Sequence, residues 1–248
     1  MPIHLKIILT VGFFVLGALL GSLIDLIIFR ISRKEPIFKG KFHCDFCGRS
    51  LTFAECLPLI GRFAGKGKCR ECGKKIPLNY FIMETCCSVL YALTFLVIGL
   101  KLELIFALIL IPVLVILSLT DITVGEIPYS CSIIIAVLGV ISVFTDSMPW
   151  YEHLLGMVAI GVPFAILAFL GVMGGGDMQL MAAAGLLLGW RIVPAAAIGI
   201  ILGAIGGLIT KQVTKSNEVR FGPYLAAGVL IGFLFGSDII DFYIGLIR

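Results

Sequence analysis

A succession of apolar runs constrains this chain more than any other feature of its sequence. Most of these runs have about twenty residues, which is the length that an α-helix needs to span the hydrocarbon core of a bilayer; the run at residues 178–188 is short. The composition agrees, because 60% of the residues are hydrophobic and 14% are charged, whereas soluble domains carry about 25% charged residues. We therefore predict an all-α polytopic membrane protein with about eight transmembrane helices, and we exclude a soluble enzyme.

The first apolar run is too long for the core of a signal peptide and lacks a small-residue cleavage site, so we expect it to remain as a membrane span. The predicted spans cover residues 5–30, 79–99, 104–120, 128–144, 154–173, 178–188, 192–210 and 223–247.

Basic residues are concentrated in one polar segment. Residues 30–75 hold 12 of the 19 Lys and Arg residues, and such segments stay in the cytoplasm and meet anionic lipid headgroups. An even number of spans then places both termini outside. The loops that follow spans 3 and 5, with Asp121 and Asp177, lie at the cytoplasmic face. This organisation predicts a first helix (1–30), a cytoplasmic domain (31–78) and a membrane domain (79–248). Residues 31–78 contain two Cys-x-x-Cys pairs, the spacing of a zinc-binding domain.

Four cysteines in the polar segment form two Cys-x-x-Cys pairs, Cys44/Cys47 and Cys69/Cys72. Each two-residue spacer turns both sulfurs toward one point, and four thiolates are the ligand set of a structural zinc site. A reducing cytoplasm argues against disulfides. We predict structural zinc that folds a small subdomain; redox-active or unbound thiols are the alternative. His43 is expected to be a bystander.

Two carboxylates stand out because each follows a long apolar run. Asp177 comes directly after Gly174–Gly176, and Asp121 follows the third predicted span. An ionisable group beside a bilayer is a functional hypothesis by default. Two close aspartates share one proton, which is aspartic peptidase chemistry and requires no metal. The three glycines would leave room for a peptide substrate beside Asp177. The alternative is that both aspartates only cap helix ends.

Further motifs follow one another along the chain. They are Gly21-Ser22-Leu23, Gly67-Lys68-Cys69-Arg70-x-Cys72, Ile76-Pro77, Glu84, Asp121 with Ile127-Pro128, Gly174-x-Gly176-Asp177-x-x-Leu180 and Phe221-Gly222-Pro223-Tyr224-Leu225-Ala226. Together with the paired cysteines, this pattern resembles the type IV prepilin peptidases, which are membrane aspartic peptidases of bacteria.

The resemblance implies cleavage of the basic leader from prepilins and pseudopilins by Asp121 and Asp177 in the bacterial inner membrane. It also implies structural zinc at the cysteines. Many members of that family then methylate the new N-terminus with S-adenosylmethionine, which is the second cofactor that the resemblance implies. We expect no nucleic-acid partner, and the sequence does not indicate an oligomeric state.

The chain departs from the family pattern at three places. Gln179 replaces the usual lysine, Asp25 replaces an asparagine, and Arg30-Ile31-Ser32 replaces an Arg-x-Pro motif. The last two lie near the region associated with methylation, for which Glu55 is the carboxylate to test. Three alternatives therefore stay open: a peptidase without methyltransferase activity, a proton-coupled transporter that uses the same aspartates, and a non-catalytic assembly protein. The absence of an inverted sequence repeat argues against the transporter.

Overall fold

The structure, a computed structural model, describes residues 2–32, 47–49, 68–74, 78–214 and 220–247. Long α-helices dominate these residues, and a single 3₁₀ turn, Gly189–Arg191, joins two of them. The helices are α1 (Ile3–Ser32), α2 (Leu78–Ile98), α3 (Leu102–Val124), α4 (Tyr129–Thr145), α5 (Trp150–Phe169), α6 (Gly175–Leu188), α7 (Ile192–Thr214) and α8 (Gly222–Ile247).

Each of the eight described helices coincides with a predicted span, so the all-α polytopic membrane fold is confirmed. Among the described residues, six stretches are long and apolar enough to cross a membrane, and the longest, Gly175–Gln212, includes both α6 and α7. Helix α4 has 17 residues and helix α6 has 14 residues. At a rise of 1.5 Å per residue, α6 is about 21 Å long, which is shorter than the hydrocarbon core.

Two helix ends differ from the predicted boundaries. Helix α3 continues to Val124, so Asp121 lies in its last turn rather than in the following loop. Helix α6 begins at Gly175, so Asp177 lies in its first turn. The cause is local in both cases. Gly125 (φ +86°) ends α3 in the left-handed conformation that glycine adopts most readily, and Gly174 is the residue that precedes the first turn of α6.

The chain divides into two compact units, Met1–Pro112 and Val113–Arg248. The predicted division at residues 30 and 78 stays a prediction. In the first unit, α1 packs along α2 through two glycines. A Cβ at Gly17 would lie 2.5 Å from the main-chain oxygen of Cys87, and one at Gly21 would lie 2.8 Å from the Cα of Glu84. These glycines therefore let the two backbones approach closely, as small residues do between membrane helices.

In the second unit, the middle of α6 is fully buried. Its residues Leu180, Met181 and Ala184 have no exposed surface. Helices α4 and α5 both pack against it. Gly156 of α5 faces Gly185 of α6 so closely that a Cβ at Gly185 would lie 2.7 Å from the oxygen of Gly156. The middle of α6 is therefore enclosed by other helices.

Helices α7 and α8 also pack through small residues. A Cβ at Gly228 would lie 2.3 Å from the oxygen of Ala195, and one at Gly203 would lie 2.6 Å from the ring of Phe221. This contact places Phe221, and therefore the start of α8, beside α7.

Candidate active site

Asp121 lies in the last turn of α3, where its side chain is 8% exposed. The helix ends four residues later at Gly125, whose N–H donates to the main-chain oxygen of Asp121 at 3.0 Å. Pro128 then precedes the first turn of α4. Asp121 therefore lies three residues before the end of α3 at Val124.

The first residue of α8 donates a hydrogen bond to this carboxylate. The N–H of Gly222 lies 2.9 Å from Oδ2 of Asp121, across 101 residues of sequence. The first N–H groups of a helix have no partner within the helix, and the positive end of the helix dipole favours an anion. A Cβ at Gly222 would lie 2.7 Å from the same oxygen, so the contact depends on glycine.

Arg220 contacts the backbone of the same residue. Its guanidinium Nη1 donates to the main-chain oxygen of Asp121. The same nitrogen would lie 2.9 Å from a Cβ at Gly125, so the guanidinium covers the turn that ends α3. Asp121 thus has its side chain bound by Gly222 and its carbonyl bound by Arg220.

Asp177 lies in the first turn of α6 and folds back on the residue that precedes the helix. The N–H of Gly174 donates to Oδ2 of Asp177 at 3.3 Å, and the N–H of Asp177 donates to the oxygen of Gly174 at 3.2 Å. This is the side-chain half of a capping box. The carboxylates of Asp121 and Asp177 lie close enough to repel each other electrostatically. The structure therefore brings the two sequence-predicted aspartates together within the second unit.

The glycines before Asp177 do not all leave the open space that the sequence suggests. A Cβ at Gly176 would lie 2.7 Å from the Cβ of Ile127, so the chain itself occupies that clearance. At Gly175, by contrast, no described atom lies within 4 Å of a Cβ position. Open space therefore lies next to Gly175, whereas Gly176 packs the α3–α4 loop against α6.

Glu126 is exposed in the α3–α4 loop, and Gln179 is partly buried on α6. In the first unit, Asp25 of α1 is close enough to Glu84 of α2 to interact electrostatically. Oδ2 of Asp25 is buried and has no hydrogen-bond partner among the described residues.

Three of the four predicted metal ligands are close together. The sulfur atoms of Cys47, Cys69 and Cys72 all lie within 4.8 Å of one another, and those of Cys47 and Cys69 are 3.9 Å apart. Tetrahedral zinc–thiolate bonds of 2.3 Å place two sulfurs about 3.8 Å apart. The cluster could therefore hold a metal ion. Cys44 lies outside the described residues, as do His43 and Glu55.

Sequence reasoning did not assign Arg220 or Gly222 to the site. A polar loop followed by Gly-Pro indicates that a helix begins near residue 222. Nothing local in the sequence, however, indicates that this helix start contacts Asp121.

Comparison with known proteins agrees with the motif order. Residues 15–98 match the bacterial peptidase A24 N-terminal domain, and residues 108–210 match the type IV leader peptidase family. The prepilin leader peptidase/N-methyltransferase of Bacillus subtilis is 34% identical over 238 residues, which cover 93% of this chain and 96% of that relative. The chain belongs to the type IV leader peptidase family. The resemblance stated from the motifs is therefore confirmed.

A second relative in this family, the prepilin leader peptidase/N-methyltransferase of Legionella pneumophila, is 28% identical and covers 96% of this chain and 94% of its own length. No solved structure matches the chain. Asp121 and Asp177 lie inside the range that matches the leader peptidase family, whereas Arg220 and Gly222 lie outside both matched ranges.

Proposed function

We propose that this leader peptidase is a membrane-embedded aspartic endopeptidase that removes the basic leader of prepilins and pseudopilins. The observation that carries the proposal is the proximity of Asp121 and Asp177, each fixed by a hydrogen bond from a backbone N–H at a helix start. Membership of the family supplies the substrate class, because the relatives are named prepilin leader peptidases.

The chemistry follows from two carboxylates that share one proton, since like charges at short range do not both ionise. The protonated carboxyl donates a hydrogen bond to the carbonyl oxygen of the scissile peptide bond. The ionised carboxylate takes a proton from a water molecule whose oxygen attacks the carbonyl carbon. The C–N bond then breaks, and a proton passes to the leaving amine. This sequence uses two aspartates and one water molecule.

The fixed geometry of the pair supports this chemistry. A general base must lie within hydrogen-bond reach of the water that it activates, so a freely rotating carboxylate would be less effective. The N–H of Gly222 restrains Asp121, and the N–H of Gly174 restrains Asp177. Both donors are backbone groups, so neither can rotate away as a side chain can.

The test is cleavage of a model prepilin in detergent by the wild type, Asp121→Asn and Asp177→Asn, with the masses of both products recorded. We expect each asparagine variant to lose cleavage, because neither amide can carry the shared proton. Asn keeps an oxygen that can accept the bond from Gly222 or Gly174, so folding should be retained. Asp238→Asn is the matched control, because Asp238 is an exposed carboxylate on α8.

Cleavage at the wild-type rate by both asparagine variants would contradict the peptidase proposal for these residues. The transporter alternative would then be examined by proton uptake into vesicles. Loss of cleavage in Asp238→Asn as well would show that the assay reports general destabilisation.

We propose that Cys47, Cys69 and Cys72 bind a structural zinc ion together with Cys44. The sulfur separations support this proposal, and a closed four-thiolate site has a structural role rather than a catalytic one. Cys69→Ser should lower the zinc content and the melting temperature of the purified protein. Cys86→Ser, which alters an exposed thiol on α2, should leave the zinc content unchanged. Equal zinc content in the two variants would contradict the assignment.

N-methylation of the new N-terminus by S-adenosylmethionine is the second candidate function. Its support is the name prepilin leader peptidase/N-methyltransferase, which belongs to relatives aligned over more than 90% of this chain. The same cleavage assay tests it when S-adenosylmethionine is added. A mature product heavier by one methyl group would establish the second activity, and an unmodified product would assign this chain to the peptidase-only alternative.

We propose that both the zinc site and the aspartate pair face the cytoplasm, as the distribution of basic residues predicts. A cysteine introduced at Glu126 should then react with a membrane-impermeant maleimide only in permeabilised cells. One introduced at Ser147 should react in intact spheroplasts. The reverse pattern would invert the topology.

A further inference from the structure

Arg220 contacts the main chain of Asp121 from the segment that precedes α8. Its guanidinium donates to the main-chain oxygen of Asp121 and is partly buried. It also lies over Gly125, where it occupies the space that a side chain would need. The contact crosses 99 residues of sequence, so the local fold of α3 does not require it.

The charges in this contact are complementary. The main-chain oxygen of Asp121 already accepts a hydrogen bond from the N–H of Gly125, and the negative C-terminal end of the helix dipole attracts a cation as well. Arginine suits such a position because its planar guanidinium presents several donors in a rigid arrangement. Arg220 therefore fixes the end of α3 in the turn that contains Asp121.

Arg220 and Gly222 act on the same residue from one short segment. Gly222 binds the carboxylate oxygen of Asp121, and Arg220 binds its carbonyl oxygen. Because Arg220 and Gly222 are only two positions apart, the start of α8 fixes both the main chain and the side chain of Asp121. A change in either contact would shift the carboxylate relative to Asp177.

We propose that Arg220 is a positioning residue for Asp121, and that it sets the distance and angle at which this carboxylate meets the substrate. The inference rests on the peptidase function proposed above. In this role Arg220 touches neither the substrate nor the water molecule, so it affects the rate of the chemical step rather than substrate binding. A helix cap without this role would affect only the stability of the protein.

The test compares Arg220→Met, Arg220→Lys and the matched control Lys211→Met by their kcat and KM for a model prepilin. Lys211 is an exposed basic residue in the last turn of α7, so its replacement removes the same charge without touching Asp121. We expect Arg220→Met to lower kcat by about tenfold to a hundredfold, because a misplacement of about 1 Å at the reacting groups has effects of that size. KM should remain near the wild-type value.

Arg220→Lys should recover part of the lost kcat, since its ammonium can still donate to the Asp121 carbonyl. Addition of millimolar methylguanidinium to Arg220→Met should also restore part of it, which a general loss of stability would not allow. If Arg220→Met does not fold, Arg220→Gln retains a side-chain donor and is measured in the same way.

An unchanged kcat in Arg220→Met would overturn the positioning role while leaving the peptidase proposal intact. A raised KM at unchanged kcat would also overturn it, because Arg220 would then bind the substrate. Failure of the peptidase proposal is recognised separately, by cleavage that persists in Asp121→Asn.

Discussion

Replacement of Gly222 by alanine is the most direct perturbation of the site that the structure offers. The new Cβ would lie 2.7 Å from Oδ2 of Asp121 and 3.0 Å from its Cγ, whereas ordinary van der Waals contact begins at 3.4 Å. The carboxylate must therefore move by about 0.7 Å, or α8 must withdraw by the same amount. Either movement weakens the 2.9 Å hydrogen bond that holds Asp121.

A displacement of this size should lower kcat by about tenfold to a hundredfold, since a misplacement of about 1 Å can reduce an enzymatic rate a hundredfold. The measurement is the steady-state kcat for a model prepilin in detergent, normalised to folded protein. KM should change little, because the variant moves a carboxylate that we propose for the chemical step and removes no proposed contact with the substrate.

Two other glycines of α8 provide controls. Gly245→Ala adds a Cβ where no described atom lies within 4 Å, so both kcat and stability should be retained. Gly228→Ala forces a Cβ to within 2.3 Å of the Ala195 oxygen, which should destabilise the protein by about 1–3 kcal/mol through overpacking. Its kcat per folded molecule should nevertheless remain normal. Wild-type kcat in Gly222→Ala would refute the reasoning.

Two further predictions concern glycines at other contacts. Gly176→Ala should lower kcat about tenfold, because its Cβ would press against Ile127 and shift the first turn of α6 by a fraction of the displacement given for Gly222→Ala. An unchanged steady-state kcat would contradict this prediction. Gly17→Ala places a Cβ 2.5 Å from the Cys87 oxygen and should lower the melting temperature, whereas Gly12→Ala, with no described atom within 4 Å of its Cβ, should not. Equal melting temperatures of Gly17→Ala and Gly12→Ala would show that α1 and α2 do not pack as described.

The helices were predictable because a bilayer imposes one length and one composition on every span. Each apolar run of the sequence became a helix, including the short α6. The predicted helix boundaries were less accurate at the two aspartates. Asp121 and Asp177 were placed in loops, although a glycine that ends α3 and a glycine that precedes α6 put both of them inside helical turns.

The aspartate pair was predictable from chemistry and motif resemblance, but its supports were not. The contacts of Gly222 and Arg220 with Asp121 join residues about one hundred positions apart, and no local propensity encodes such a contact. Similarly, the clearance at Gly176 was assigned to a substrate, whereas tertiary packing fills it with Ile127. Small residues in a sequence show that something approaches closely, but they do not show which group it is.

The bond between Asp177 and the N–H of Gly174 gives one side chain two functions. The carboxylate that we propose for proton exchange also caps the helix on which it sits. An anion at a helix start is worth about 0.3–1 kcal/mol, and this contribution is lost whenever Asp177 is neutral. Protonation and deprotonation of Asp177 in each catalytic cycle would therefore loosen and then tighten the first turn of α6. The same turn contains Gly175, where no described atom lies within 4 Å of a Cβ position, so a peptide that entered this space would meet a helix turn whose order depends on the protonation of Asp177.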